Sequence, residues 1–338
     1  MDLAPPSAQA VGRLMRLATY VSVATASLLV LAKLVAWVLT DSVSLLSTLI
    51  DSLLDVAASL VTLFAIRQAL SPPDAEHRFG HGKAEPLAAL GQAAFITGSA
   101  LLLLLQAVPR LIHPLPLGSP SVGFAVMGFS IVATYALTRF QAVVARRTGS
   151  LAIQADSAHY LSDLLVNLSV IVAFLLSTQL GWYLADPICA LLVAAYILRT
   201  AWGIARGSLD MLMDRELPDA ERQRIRELAL TEPDVRGVHD LRTRASGPQR
   251  FIQMHLELDG QMSLARAHAI ADRLEQKLSE AFSAEVLIHQ DLYDPTQVRR
   301  GPLYKRAQRA AAAGGLDPRQ GPGTPTAEDA AGDRKDRP

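Results

Sequence analysis

From Leu17 to Leu198 the chain is a succession of long apolar runs separated by short polar breaks. Six runs reach or approach the roughly 20 apolar residues that a membrane-spanning helix needs. They cover approximately Leu17–Leu39, Val43–Ile66, Leu87–Val108, Val122–Leu137, Ala158–Ser177 and Tyr183–Leu198. The fourth and sixth are the shortest, and Arg139 and Arg199 can snorkel from their ends. Thr40-Asp41-Ser42 forms a tight break between the first two runs, and Gln179-Leu180-Gly181 another between the last two. After Pro218 the pattern changes to short alternating elements. Asp219–Leu230 reads as a helix and Val235–Arg244 as a strand. Gln249–Leu258 alternates at period two, with Ile252, Met254, Leu256 and Leu258 on one face and Phe251, Gln253 and His255 on the other. Ser263–Phe282 is an amphipathic helix with Leu264, Ala267, Ala271, Leu274 and Leu278 on its stripe, and Glu285–His289 is a last strand.

These elements predict an all-α membrane domain of six transmembrane helices, followed by a small cytoplasmic α+β domain. The second has αββαβ order and a metallochaperone-like, open-faced outline. The divisions fall at 1–13, a cytoplasmic N-terminal segment; 14–208, the membrane domain; 209–300, the α+β domain; and 301–338, a tail. That tail is rich in Ala, Gly, Pro, Arg and Asp without apolar period, which predicts disorder.

Charge adds an orientation. With the N-terminus in the cytoplasm, the inner side collects Arg13, Arg16, Arg67, Arg78, Lys83, Arg146, Arg147 and Arg206, while the outer loops hold little beyond Arg110. Both termini are therefore expected inside. The first apolar run lacks the short h-region and cleavage site of a signal peptide, so it is expected to be retained as a span. Of 338 residues, half are apolar and the formal net charge is zero, with no basic cluster interleaved with aromatics, so nucleic-acid binding is not expected. One cysteine, Cys189, excludes an intrachain disulfide and a multi-thiolate metal site, which disfavours a pathway for Cu(I).

Ionisable groups inside the apolar runs carry the chemistry. Asp51 and Asp55 are four apart in the second run, His159 and Asp163 four apart in the fifth. On helices each pair shares one face, and the predicted topology puts both pairs at similar depth. Three carboxylates and an imidazole describe a divalent-metal site, and ionisable groups at membrane depth mark ion pathways. Four ligands suit tetrahedral Zn²⁺, while three oxygens to one nitrogen leave Fe²⁺, Mn²⁺ and Cd²⁺ open. Lys33 in the first run either snorkels or pairs with a carboxylate, and Asp156 and Asp186 are expected near segment ends as solvated or capping groups. Between the second and third runs, Asp74, His77 and His81 have the spacing to close around a metal, with Gly80 and Gly82 permitting the bend; a plain polar loop is the alternative. In the soluble part, His239, His255, His289 and Asp291 suggest a second site of one or two ions, whereas His268 lies near its helix stripe and reads equally as core or ligand.

The paired motifs in the second and fifth runs, the His77-Arg-Phe-Gly-His81-Gly-Lys83-Ala-Glu loop and the Leu-Met-Asp214-Arg-Glu-Leu-Pro-Asp junction resemble the cation diffusion facilitator family, closest to its bacterial ferrous-iron and zinc efflux members. The resemblance covers roughly Leu14 to Asp291. It implies a homodimeric metal–proton antiporter of the bacterial inner membrane. It assigns Asp51, Asp55, His159 and Asp163 to transport, and Asp74, His77 and His81 to the membrane boundary. It further assigns His239, His255, His268, His289 and Asp291 to a cytoplasmic binuclear site, and Lys83 with Asp214 to an interdomain salt bridge. An intramembrane hydrolase is disfavoured by the lack of His-Glu-x-x-His, and an ATP-driven pump by the lack of a phosphate-binding loop. A membrane metal sensor is the remaining alternative.

Overall fold

A computed structural model describes residues 8–41, 43–112, 124–182 and 184–293. The tail expected to be disordered and the starts of the fourth and sixth runs, at Val122 and Tyr183, lie outside them. Six helices are long and apolar enough to cross a membrane: α1 (Ala8–Thr40), α2 (Val43–Ala69), α3 (Ala84–Ile112), α4 (Phe124–Thr148), α5 (Leu151–Leu180) and α6 (Ala185–Leu212). The protein is a multi-pass membrane protein.

Several helices outrun the apolar segments that predicted them. α4 continues past Leu137 through Arg139, Gln141, Arg146 and Arg147, and α6 continues past Leu198 through Arg199 and Arg206. Hydropathy ends where these charges begin, but Arg, Gln and Ala are strong helix formers, so the backbone continues. Gly149, left-handed at φ 69°, follows the end of α4. The next helix starts at once: the Ser150 hydroxyl accepts the Ile153 N–H at 3.2 Å and caps α5 at Leu151 rather than Ala158.

Small residues let the helices approach closely. One seam joins Ala89, Ala93, Ile96 and Ala100 of α3 to Ala155 and Ala158 of α5 and Ile197, Ala201 and Ile204 of α6. Another joins Met15 and Ala18 of α1 to Ile66 of α2, Val144 of α4 and Ala152 and Ile153 of α5. Large apolar side chains such as Leu31, Phe64, Leu105 and Val132 point outward, as a lipid solvent allows.

The chain divides into two compact units over its described residues. The first takes 8–217, Thr243–Phe251 and Phe282–Glu285; the second takes Pro218–Arg242, Ile252–Ala281 and 286–293. After the membrane helices come α7 (Asp219–Leu230), β1 (Gly237–Ser246), β2 (Gln249–Leu258), α8 (Leu264–Phe282) and β3 (Ala284–Leu292), with strand order β1-β2-β3. This is the expected αββαβ order. Ile225 and Ala229 of α7, Ile252, Met254, Leu256 and Leu258 of β2, and Ile270, Ala271, Leu274 and Leu278 of α8 are buried, so the period-two face of β2 is the core face. The stripe of α8 begins later than its pattern suggests. Leu264 is exposed, because only from Ile270 onward does that face of the helix become buried.

Candidate metal centres

α2 and α5 carry one candidate centre. Ligand atoms of Asp55, His159 and Asp163 all lie within 4.8 Å of one another. His159 is buried, with Nε2 3.1 Å from Asp55 Oδ1 and 3.8 Å from Asp163 Oδ2. Its ring is held edge-on to Phe95 of α3 at 5.5 Å between centroids. Asp163 Oδ2 is shielded from solvent and has no hydrogen-bond partner among the described residues, which suits an oxygen awaiting a cation. Asp51 stands outside this trio. It occupies an exposed position one turn earlier on α2. Lys33 reaches no carboxylate within ion-pair distance among the described residues; its Nζ donates to Ser52 Oγ at 2.6 Å and to the Thr48 carbonyl at 3.2 Å.

Asp156 corrects the expectation of a solvated or capping group. It is 1% exposed and enclosed by side chains from four other helices. The hydropathy boundary misplaced it: with α5 starting at Leu151, Asp156 lies inside the helix, one turn before His159. Asp186, in the first turn of α6, pairs with Arg110 at 2.9 Å.

The loop between α2 and α3 brings Asp74, His77 and His81 together. Asp74 Oδ1 lies 3.2 Å from His77 Nδ1, and Oδ2 lies 3.2 Å from His81 Nε2. The same Oδ1 accepts the N–H groups of His77 at 2.6 Å and Glu76 at 3.0 Å. This side chain–backbone turn folds the loop upon its own carboxylate, and the His77 N–H leads in holding that carboxyl below the usual range. Gly82 is required here: a Cβ on it would lie 2.0 Å from the Ser246 carbonyl oxygen. Beside the loop, Lys83 Nζ lies 3.1 Å and Arg244 Nη1 3.3 Å from Asp214 Oδ1. Burial pushes the Asp214 carboxyl up, but those two cations outweigh it and hold it low.

In the second unit, His239 of β1, His255 of β2 and Asp291 of β3 converge. Asp291 Oδ2 is 3.0 Å from His255 Nδ1 and 3.3 Å from His239 Nε2. The His289 ring lies 4.7 Å from that of His255, with Nε2 3.8 Å from Asp291 Oδ1. His268 does not join them. It is 67% exposed on α8 and faces Asp272 one turn on at 3.4 Å, because the buried stripe of α8 runs through Ile270, Leu274 and Leu278 instead. Two further carboxylates stand at this cluster. Glu257 Oε1 is 3.0 Å from His239 Nδ1, and Asp240 Oδ2 is 3.7 Å from His255 Nε2. Glu257 shares the face of His255 by strand period, a signal readable in sequence. Asp240 does not, because left-handed backbone at φ 49° breaks the alternation of β1.

Six helices long and apolar enough to cross a membrane, with a carboxylate–imidazole cluster on α2 and α5 and a small α+β domain carrying another, are the arrangement of a membrane transporter. The family profile described as cation efflux transmembrane domain matches residues 19–213, and that described as cation efflux protein, cytoplasmic domain, matches 217–293. The chain belongs to the cation efflux family, the cation diffusion facilitators. The cation-efflux pump FieF of Salmonella choleraesuis is 47% identical over 284 residues, covering 84% of this chain and 94% of that protein. FieF of Salmonella newport gives the same values. A solved structure of CzrB in its zinc form is 34% identical and covers 25% of this chain and 99% of that one, with a TM-score of 0.24.

Proposed function

We propose that this protein exports divalent metal ions from the cytoplasm of a bacterium across its inner membrane, exchanging each for protons by alternating access. The observation that carries this reading is the trio Asp55, His159 and Asp163, gathered within 4.8 Å on two adjacent membrane helices. Asp51, one turn away, is the fourth ligand, drawn in when metal arrives. In the metal-free stage of the cycle, three carboxylates in a low-dielectric interior carry more negative charge than the site supports, so protons occupy it. Metal requires deprotonated ligands, and its binding releases those protons. Exposing this one site alternately to each side then couples metal export to proton entry. Zn²⁺ suits a tetrahedral set of this kind, and Fe²⁺, Cd²⁺ and Mn²⁺ are compatible substrates.

Asp74, His77 and His81 form a collecting site at the membrane boundary in this reading. His239, His255, His289 and Asp291 bind metal that fastens the cytoplasmic domains of a homodimer, with both termini in the cytoplasm. Metal that binds only the closed arrangement stabilises it by mass action. The test is metal uptake into proteoliposomes under an imposed pH gradient, with Zn²⁺, Fe²⁺, Cd²⁺ and Mn²⁺ compared. Uptake that follows the gradient supports exchange; binding without accumulation makes the protein a sensor; accumulation indifferent to the gradient removes the proton.

A further inference from the structure

Five helices send polar side chains to one buried point, and at its centre is Asp156. Ser22 of α1 donates to Oδ2 at 2.6 Å and Gln141 of α4 donates to the same oxygen at 2.5 Å. Gln92 of α3 and Ser59 of α2 donate to Oδ1 at 3.4 and 3.5 Å. Ser59 also bonds Tyr160 at 2.7 Å, and Gln92 bonds Thr62 at 2.6 Å. Ser22, Ser59, Gln92, Gln141, Asp156 and Tyr160 are each at most 5% exposed. Among the described residues no Lys or Arg lies within ion-pair distance of Asp156, so its partners are neutral donors and it is not half of a salt bridge.

Helical register links this knot to the metal trio. On α5, Asp156, His159 and Asp163 stand at i, i+3 and i+7, one face of the helix. On α2, Asp55 and Ser59 stand at i and i+4, also one face. The two helices are thus joined by two successive rungs, Asp55 to His159 and then Ser59 to Asp156 and Tyr160. Only the first involves the candidate metal ligands. The second fixes how far α5 is turned and how deep it sits, and therefore where His159 and Asp163 meet Asp55. Ligand atoms must be placed to within a few tenths of an ångström to bind a metal well, and partners one shell out usually supply that placement.

We propose that Asp156 is a positioning residue of the transport site: it locks the ligand-bearing face of α5 to α1, α2, α3 and α4. This rests on the reading of Asp55, His159 and Asp163 as metal ligands. The amide oxygens of Gln92 and Gln141, both shielded from solvent and without a hydrogen-bond partner among the described residues, make the inference testable by one conservative change. An asparagine at 156 keeps an oxygen for the Ser22 and Gln141 donors and offers its own N–H₂ to one of those oxygens. Alanine leaves several buried donors without partners.

The experiment compares full-length wild type with Asp156→Asn and Asp156→Ala in proteoliposomes, measuring Zn²⁺ KM and maximal flux. In parallel, the part of the Co²⁺ d–d absorption in detergent that Asp55→Ala removes, which separates the membrane trio from the two other clusters, reports coordination geometry at that site. The expected result for Asp156→Ala is a KM raised about 10- to 100-fold with an altered Co²⁺ band. Asp156→Asn is expected to restore both to near wild type. Asparagine as damaging as alanine in a folded protein overturns the proposal, since the charge rather than the bonding would then be required. An unchanged KM and Co²⁺ band in Asp156→Ala overturns it equally. If Asp156→Ala does not fold, Ser59→Ala and Gln141→Met each remove one tie, and unchanged KM in both overturns it. An Asp55→Ala protein whose Co²⁺ spectrum loses nothing relative to wild type instead removes the metal-site reading, and this inference falls with it.

Discussion

The membrane trio and the cytoplasmic cluster use the same side chains in opposite settings. In the membrane, His159 is 4% exposed, meets two carboxylates, and leans on a polar knot reaching four further helices. In the cytoplasmic unit, His239, His255 and Asp291 sit on three adjacent strands at 17%, 28% and 23% side-chain exposure, with His289, Asp240 and Glu257 at hand as further donors. On the proposed function, the carried ion meets the smaller set, three gathered ligands on two helices. The ion that fastens two chains in that reading meets further donors on a hydrogen-bonded sheet. The difference teaches that ligand type alone does not separate the two settings; burial and the element that carries the ligands do.

The largest expected effect falls on the membrane trio. Asp55→Ala or Asp163→Ala is expected to abolish Zn²⁺ flux in proteoliposomes while size-exclusion chromatography still shows a folded dimer; wild-type flux in both breaks the comparison. A smaller effect is expected from His255→Ala combined with Asp291→Ala. Flux there falls severalfold without vanishing, since on the proposed function this cluster shifts an equilibrium and does not carry the ion. Complete loss in that variant would erase the distinction. Asp51→His sharpens the membrane side further. It softens the ligand set, so Fe²⁺ transport is expected to fall more than Zn²⁺ transport in competition assays; an unchanged ratio places Asp51 outside the coordination sphere.

The smallest effect tests the frame of the cytoplasmic unit. Glu232, 6% exposed, bonds Lys277 and Arg273 of α8 at 3.0 Å each. The Lys277 bond leads in holding its carboxyl below the ordinary glutamate range, against a smaller opposing effect of burial. A depressed folded value adds stability above the unfolded carboxylate range, and that stability is lost as pH falls through the folded value. Glu232→Gln is therefore expected to cost about 1–2 kcal/mol near neutral pH. Thermal unfolding across pH should show the gap to wild type closing toward acid. A gap constant with pH would mean the ion pairs contribute nothing.

Much of this was legible in the sequence where apolar period and ligand spacing coincide. The i,i+4 spacings of the second and fifth runs predicted that Asp51, Asp55, His159 and Asp163 would meet, and the structure gathers all but Asp51; Asp74-x-x-His77-x-x-x-His81 predicted the loop cluster. Legibility failed where a residue's role depends on another element. Asp156 was misjudged because hydropathy marks where lipid ends and not where a helix begins. His268 was ambiguous because one turn of phase decides between core and solvent. Asp240 was invisible because strand alternation forbids what its left-handed backbone permits.

The overrun of the helices has a mechanical meaning. At about 1.5 Å per residue, the 28 residues of α6 reach about 42 Å and the 30 of α5 about 45 Å, against roughly 30 Å of hydrocarbon. The surplus lies in turns bearing Arg199, Arg206 or Gln154, which water accepts as readily as headgroups do. A helix with polar turns to spare can lean or slide in the bilayer without drawing charge into lipid or lifting leucine into water. Such slack makes rocking cheap, and it leaves the tolerance of transport to bilayer thickness to be measured directly in vesicles of graded acyl-chain length.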